Sequence, residues 1–270
     1  MLSDLRIDPL IDLLNSAGRL IMQFYQSGEI NIQTKADKSP VTNADHSSNK
    51  LILSGLSSLY PDTPVISEEM DNSAYDIRKN WDYCWMLDPL DGTKEFIKRN
   101  GEFSINLALI HHNKPIAGFI HFPVQSWTYY AIEGKGAFKK VLSDESYPLS
   151  DISFQNSFIP KSRLRVMISR SHSGKHEQAF INTLKDKGYE VETLAHGSAM
   201  KHCLIAEGLG DIYPKFGPCS EWDTAPGQII LQEVGGKITR CDNGKPLSYN
   251  KANFENPEFI MWGPGIPSDL

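Results

Sequence analysis

Apolar residues recur at helical spacing over residues 8–26, where Leu10, Ile11, Leu14, Ala17, Ile21 and Phe24 share one face. After the polar loop Lys35-Ala-Asp-Lys-Ser-Pro40, the run Thr42-Asn-Ala-Asp45 reads as a capping-box start, with Asp standing for the usual Glu. Leu51, Ile52 and Leu56 continue that second helix. Pro64-Val-Ile66 is a short predicted strand running into Ser67-Glu68-Glu69, and Cys84 to Asp88 is another. Residues 103–110, 115–121 and 127–132 are strand-like and separated by Asn113-Lys-Pro and Pro123, a pattern that predicts an antiparallel meander.

The segment 142–162 is rich in Ser, Asp and Pro, lacks clear periodicity, and reads as the passage between two halves. Beyond it strands and helices alternate. Strands are expected at Arg165–Ser169, Glu190–Leu194, Asp211–Pro214 and Phe259–Trp262. Helices are expected at His176–Lys187, Met200–Glu207 and Thr224–Glu233, the last closed by Gly235-Gly236. The chain therefore reads as α/β, with an α+β N-terminal half over 1–160 and an α/β C-terminal half over 161–270.

Composition narrows the function classes. A chain of 270 residues with 40% hydrophobic and 22% charged residues can bury a substantial core as one large domain or two small ones. A formal net charge of −6 disfavours a nucleic-acid polymer as partner, although a small anionic substrate needs only a local cluster of positive charge. The cysteines, Cys84, Cys203, Cys219 and Cys241, form no CxxC pair and read as free thiols of a reducing compartment. No run of 18 apolar residues suggests an integral membrane segment, and Asp4, Arg6, Asp8 and Asp12 are wrong for a signal peptide. A cytoplasmic location is expected, with a peripheral association with the inner membrane left open; oligomeric state is not indicated.

Acidic residues mark the candidate chemistry. In Trp85-Met-Leu-Asp-Pro-Leu-Asp-Gly-Thr-Lys-Glu-Phe96 an apolar run ends in Asp88 and Asp91, and Pro89 and Gly92 turn the backbone into a helix opened by Gly92-Thr93. Two carboxylates, a hydroxyl and helix N-terminal amides aimed at one point suit a hard metal ion and a phosphate. Glu68, Asp45 and Asp223 likewise lie at strand ends or helix starts. Each has an ordinary reading: Asp45 and Asp223 as helix N-caps, Glu68-Glu69 as a solvated turn.

The string Asp88-Pro-Leu-Asp-Gly-Thr93 resembles the signature of the inositol monophosphatase superfamily of magnesium-dependent, lithium-sensitive phosphatases. Glu221-Trp-Asp-Thr-Ala-Pro-Gly227 resembles its second signature, Ser67-Glu68-Glu69 its metal-binding Glu site, and Val41-Thr-Asn-Ala-Asp45 its acidic site at the second helix. Lys94-Glu95-Phe96 is similar to the 3'(2'),5'-bisphosphate nucleotidases, where the inositol enzymes commonly carry Thr-Asn-Phe. Ile97-Lys-Arg-Asn-Gly-Glu-Phe103, Ser169-Arg-Ser-His172, Gly197-Ser-Ala-Met-Lys201 and the stretch Ala206 to Pro214 are similar to the bacterial CysQ-type branch.

The resemblance implies a layered α-β-α-β-α sandwich of the inositol monophosphatase/fructose-1,6-bisphosphatase type, whose first half binds metal and whose second half binds nucleotide. It implies two or three Mg²⁺ ions and hydrolysis of the 3'-phosphate of 3'-phosphoadenosine 5'-phosphate (PAP) to AMP, with the sulfate donor PAPS as a further substrate. Phosphatases of inositol or another sugar phosphate are the alternative. By resemblance Glu68, Asp88 and the Leu90 carbonyl hold one ion, and Asp88 bridges to a second held by Asp91 and Asp223. Asp45 and Thr93 form the water-activating pair, Gly92 and Thr93 amides hold phosphate oxygens, and Glu69 lies behind the ligands. His172, Ser198, Lys201 and Lys215 are expected at the 5'-phosphate or ribose. Lys215 lies where related eukaryotic enzymes tend to have Arg, and a lysine cannot form the bidentate fork of a guanidinium. No side chain stands out as general acid for the leaving oxygen, and a metal-bound water is the expectation.

Overall fold

The computed structural model describes residues 4–36, 38–141, 147–149, 162–170 and 174–270. Helix α1 (Ile7–Ser27) buries the predicted stripe Leu10, Ile11, Leu14, Ala17 and Ile21, and ends at Gly28 in the left-handed region. A two-stranded hairpin follows, β1 (Ile32–Thr34) against β2 (Pro40–Thr42). The polar loop 35–40 joins the two strands, which are three residues each and too short to show an alternation in the sequence. Helix α2 (Asn43–Leu59) starts on the expected capping box, with Asp45 at its third position accepting the Thr42 N–H at 2.8 Å. Asp45 is thus not the N-cap; Thr42 is.

The meander belongs to a seven-stranded sheet of order β3-β4-β5-β6-β7-β8-β9. Its members are β3 (Val65–Ser67), β4 (Tyr83–Asp91), β5 (Ser104–His111), β6 (Lys114–Phe122), β7 (Trp127–Ile132), β8 (Gly136–Val141) and β9 (Tyr147–Pro148). Only the β3–β4 pair is parallel. A short helix α3 (Tyr75–Arg78) precedes β4. Strand β4 outruns its prediction by three residues at its C-terminal end. Pro89 does not end it, because the ladder to β3 stops at Leu87 and the register with β5 shifts between Asp88 and Asp91, so the missing N–H is not required. The turn falls at Gly92 (φ 89°), where a Cβ would lie 3.0 Å from the Glu102 carbonyl, and α4 (Thr93–Ile97) follows. The predicted passage 142–162 lies largely outside the described residues.

Five more strands form a second sheet of order β11-β10-β12-β14-β13: β10 (Arg163–Ser169), β11 (Glu190–His196), β12 (Ile212–Lys215), β13 (Lys237–Arg240) and β14 (Phe259–Trp262). The β11–β10–β12 ladders are parallel and the others antiparallel. Helix α5 (Lys175–Asp186) packs on the β11 and β12 side. Helices α6 (Met200–Ala206) and α7 (Glu221–Glu233) lie between the sheets, α7 against β4–β8 and α6 against β12. With α1 and α2 on the outer face of the first sheet, the layers run α-β-α-β-α, as the resemblance implied.

Helix α7 begins three residues before its expected start. Ser220 caps it, and Asp223 at its third position accepts the Ser220 N–H at 2.8 Å. Pro226 is therefore inside the helix and not in its first turn, so it costs one intrahelical hydrogen bond. Close packing accommodates it: Gly118 of β6 lies against Pro226, where a Cβ would be 2.7 Å from the Pro226 Cα.

The interior also sets an acid limit. His121 is 3% exposed on β6, with Nδ1 3.0 Å from Thr128 Oγ1 and its ring against Gly18 of α1. Burial pushes its imidazole from 6.5 down to about 4. The unfolded chain therefore takes up a proton at higher pH than the folded one. Stability is complete above pH 6.5 and falls as pH drops toward 4, by about 3 kcal/mol. Urea unfolding across that range is expected to show this slope, and His121→Gln to flatten it.

Candidate active site

Three elements deliver four acidic residues to one place. Glu68 follows β3, Asp88 and Asp91 lie on β4, and Asp223 is in the first turn of α7. Carboxylate oxygens of Asp88, Asp91 and Asp223 all lie within 4.8 Å of one another. Asp88 is 2% exposed, and its Oδ1 accepts the Leu90 N–H at 3.0 Å. Burial drives the Asp88 carboxyl far above the usual range, and Glu68, Asp91 and Asp223 add to the effect. Burial and then Asp91 and Glu68 push Asp223 up to about 7. Glu68 is raised by burial even though Lys35 opposes it.

Carboxylates crowded in this way repel one another unless a cation joins them. The donors are all hard oxygens, so the set fits an oxygen-seeking divalent ion and offers nothing to a thiophilic one through its carboxylates. Lys35, which the sequence reading placed in a plain polar loop, brings one positive charge. Its Nζ is 2.6 Å from Glu68 Oε1 and 2.5 Å from Glu69 Oε1. Burial works to lower the Lys35 pKa, but Glu68 and then Glu69 outweigh it and hold it above its ordinary value. Glu69 is accordingly an ion-pair partner, not a solvated turn residue.

Thr93 stands beside this cluster at the start of α4. Its Oγ1 donates to Asp45 Oδ1 at 3.1 Å and lies 3.3 Å from the Leu90 carbonyl. Asp45 is 1% exposed, and its other oxygen, Oδ2, accepts from the Thr42 N–H at 2.8 Å and Thr42 Oγ1 at 2.5 Å. Burial raises the Asp45 pKa against those hydrogen bonds.

A cavity of about 290 Å³ joins these groups to the second sheet. Its lining includes Glu68, Asp88, Leu90, Asp91, Gly92, Thr93 and Asp223 from the acidic cluster, and Ser198, Lys201, Tyr213 and Lys215 from the second half. Lys201 is buried despite its charge. It is 4% exposed, and its Nζ donates to the carbonyls of His196 (3.1 Å) and Ser198 (2.7 Å). Burial lowers its pKa to about 8, although Asp91 pulls the other way. Ser198 is turned toward Asp91, its Oγ donating to Oδ2 at 2.8 Å. Lys94 is exposed at the cavity wall, whereas Glu95 and Phe96 are buried. His172 lies outside the described residues.

Sequence reasoning missed Lys35, Ser104, Asn106 and His202. Asn106 had a visible signal, a polar residue within the apolar strand Ile105-Asn-Leu-Ala-Leu109. His202 lines the cavity beside Lys201, 4% exposed, with Nδ1 unpaired. Lys35 had no such signal, because its partners lie 33 and 34 positions away.

The sequence model of the inositol monophosphatase family matches residues 5–261. The chain is 42% identical over 255 residues to the 3'(2'),5'-bisphosphate nucleotidase CysQ of Escherichia coli K12, covering 94% of this chain and 98% of that protein. It is 36% identical to the Haemophilus influenzae protein of the same description, over 92% of this chain and 88% of that one. Among solved structures, CysQ from Bacteroides thetaiotaomicron, described as a bacterial member of the inositol monophosphatase family, superposes with a TM-score of 0.79. The two chains are 38% identical, and the match covers 94% of this one and 96% of that one.

Proposed function

The chain belongs to the inositol monophosphatase family, and on that premise we propose that it is a Mg²⁺-dependent 3'(2'),5'-bisphosphate nucleotidase. It hydrolyses the 3'-phosphate of PAP to AMP and phosphate, and PAPS is a further substrate. The observation that carries this reading is the lining of one cavity, which combines an acidic, metal-suited cluster with a buried lysine, Lys201. A substrate with two anionic groups uses both. An inositol monophosphate leaves Lys201 without an anion.

In this reading Glu68, Asp88, the Leu90 carbonyl, Asp91 and Asp223 hold two or three Mg²⁺ ions. Bound Mg²⁺ supplies Lewis-acid polarisation of the phosphoryl group and lowers the pKa of water. Thr93 Oγ1 accepts a proton from the attacking water as it passes its own to Asp45 Oδ1, a transfer the 3.1 Å contact allows. Thr42 keeps Asp45 in place through both its N–H and its hydroxyl. The amides of Gly92 and Thr93 orient phosphate oxygens. Lys201, Lys215 and His172 bind the 5'-phosphate or ribose, and Lys94 contributes positive charge at the rim. Residues 1–160 then act as the metal-binding half and 161–270 as the nucleotide half, with Asp223 crossing between the roles. Lithium sensitivity and a cytoplasmic location belong to the same reading.

Phosphate release from PAP, inositol 1-phosphate and fructose 1,6-bisphosphate with Mg²⁺ tests it. PAP is expected to show much the highest kcat/KM. Lys201→Met is expected to raise KM for PAP about tenfold or more, the value of one charge-assisted hydrogen bond, while sparing any residual turnover of inositol 1-phosphate. A higher kcat/KM for inositol 1-phosphate would replace the nucleotidase assignment by the inositol one.

A further inference from the structure

We infer that Ser198, Ser104 and Asn106 are positioning residues that hold the Oδ2 oxygen of Asp91 and so set the affinity of the acidic cluster for a divalent cation. The inference rests on reading that cluster as a metal site. Asp91 ends β4, and its ladder partner across the sheet is Ser104. Its Oδ2 accepts from Ser198 Oγ at 2.8 Å and Asn106 Nδ2 at 3.2 Å, with Ser104 Oγ at 3.4 Å. A carboxylate only accepts, so the Asn106 atom facing it must be the amide nitrogen.

The protons can be assigned. Ser198 gives its one hydroxyl proton to Asp91, and its oxygen accepts from the Ala199 N–H at 2.6 Å and lies 2.5 Å from Ser104 Oγ. Ser104 gives its own proton to Asn106 Oδ1 at 2.9 Å, which turns the Asn106 amide nitrogen toward Asp91. Ser104 and Asn106, two apart on β5, share one face of the strand and are both 0% exposed. Buried polar groups on an apolar strand are costly unless paired, and here the pairing runs from Ser104 through the Asn106 amide to Asp91 Oδ2. A carboxylate held by one oxygen cannot spin about its last torsion. Its plane is fixed and Oδ1 is left for the cation, as partners behind metal ligands generally act.

The backbone is shaped for the same contact. Ser198 sits at φ 49°, a left-handed conformation costing about 1 kcal/mol or more in a residue other than glycine. Gly92, next to Asp91, lets it approach: a Cβ on Gly92 would lie 3.2 Å from the Ser198 Cβ. The Ser198 carbonyl also accepts from Lys201. The turn that opens α6 therefore touches the anion-recognising lysine through its carbonyl and the cluster through its hydroxyl.

Mn²⁺ binding followed by electron paramagnetic resonance tests the cradle in Ser198→Ala, Ser104→Ala, Asn106→Leu and Asp91→Asn, with thermal melts in EDTA reporting folding. The cradle predicts a dissociation constant weakened about 10–100-fold in Ser198→Ala and Asn106→Leu. Ser198→Ala, which only deletes a hydroxyl from a turn, should melt within about 3 °C of the parent in EDTA, and it decides the matter if Asn106→Leu does not fold. Parent-like Mn²⁺ isotherms in Ser198→Ala and Ser104→Ala, beside a weakened Asp91→Asn, would overturn the cradle and leave the metal site standing. A parent-like isotherm in Asp91→Asn would remove the metal-site reading and the cradle together.

Discussion

Asp88→Asn is expected to lose metal-dependent phosphate release by about three orders of magnitude, the several kcal/mol that a metal's charge contributes to a phosphoryl-transfer transition state. The folded protein should survive. Asn has the same shape and keeps the oxygen that accepts the Leu90 N–H. The variant is also expected to be at least as stable as the parent in EDTA. Asp88 is buried among Glu68, Asp91 and Asp223, so removing one negative charge relieves a repulsion that no hydrogen bond offsets in full. The parent should gain melting temperature as Mg²⁺ is added and the variant should gain little, because ligand stabilisation requires binding to the folded state. Phosphate release against Mg²⁺ concentration, with melts in Mg²⁺ and in EDTA, measures all three. Full activity in Asp88→Asn would end the metal scheme.

The second large effect concerns Asp45 and Thr93. Each of Asp45→Asn and Thr93→Ala is expected to lower kcat about 10²–10⁴-fold, the usual contribution of a positioned proton acceptor, with KM for PAP little changed. Joined by one hydrogen bond, the two act as a unit, so the double variant should be scarcely worse than the more damaged single one. The pH profile adds a sign. Burial raises the Asp45 pKa, and Asp45 accepts protons only when ionised. The rate should fall with falling pH about a midpoint above the ordinary 3.8 of an aspartate, and Asp45→Asn should lack that limb. Strict additivity of the two substitutions would break the pairing.

Much of this site was legible because its cues are local. Thr42 to Asp45 carries a capping box within four residues, and Ser220 to Asp223 repeats the pattern. Reading Pro89 as a strand end failed for a non-local reason: whether a proline breaks a strand depends on whether a neighbour needs its N–H, and β3 stops short of it. The burial of Lys201 is equally non-local, since a seven-residue helix does not reveal in its own sequence that it packs against α7 and β12.

The sequence by itself determined the kinds of donor and the order of elements. Aspartates and glutamates at strand ends, a hydroxyl after Gly92, and the alternation of strand and helix are written in spacings of a few residues, which backbone geometry alone converts into direction. Only the tertiary structure decided how those donors are held. Asp91 meets Ser198 across 107 positions, Thr93 meets Asp45 across 48, and Lys35 reaches Glu68 across 33. Such contacts depend on how the layers stack, and the stacking follows from burial of apolar faces, which is non-directional and leaves no local mark on the polar residues it brings together.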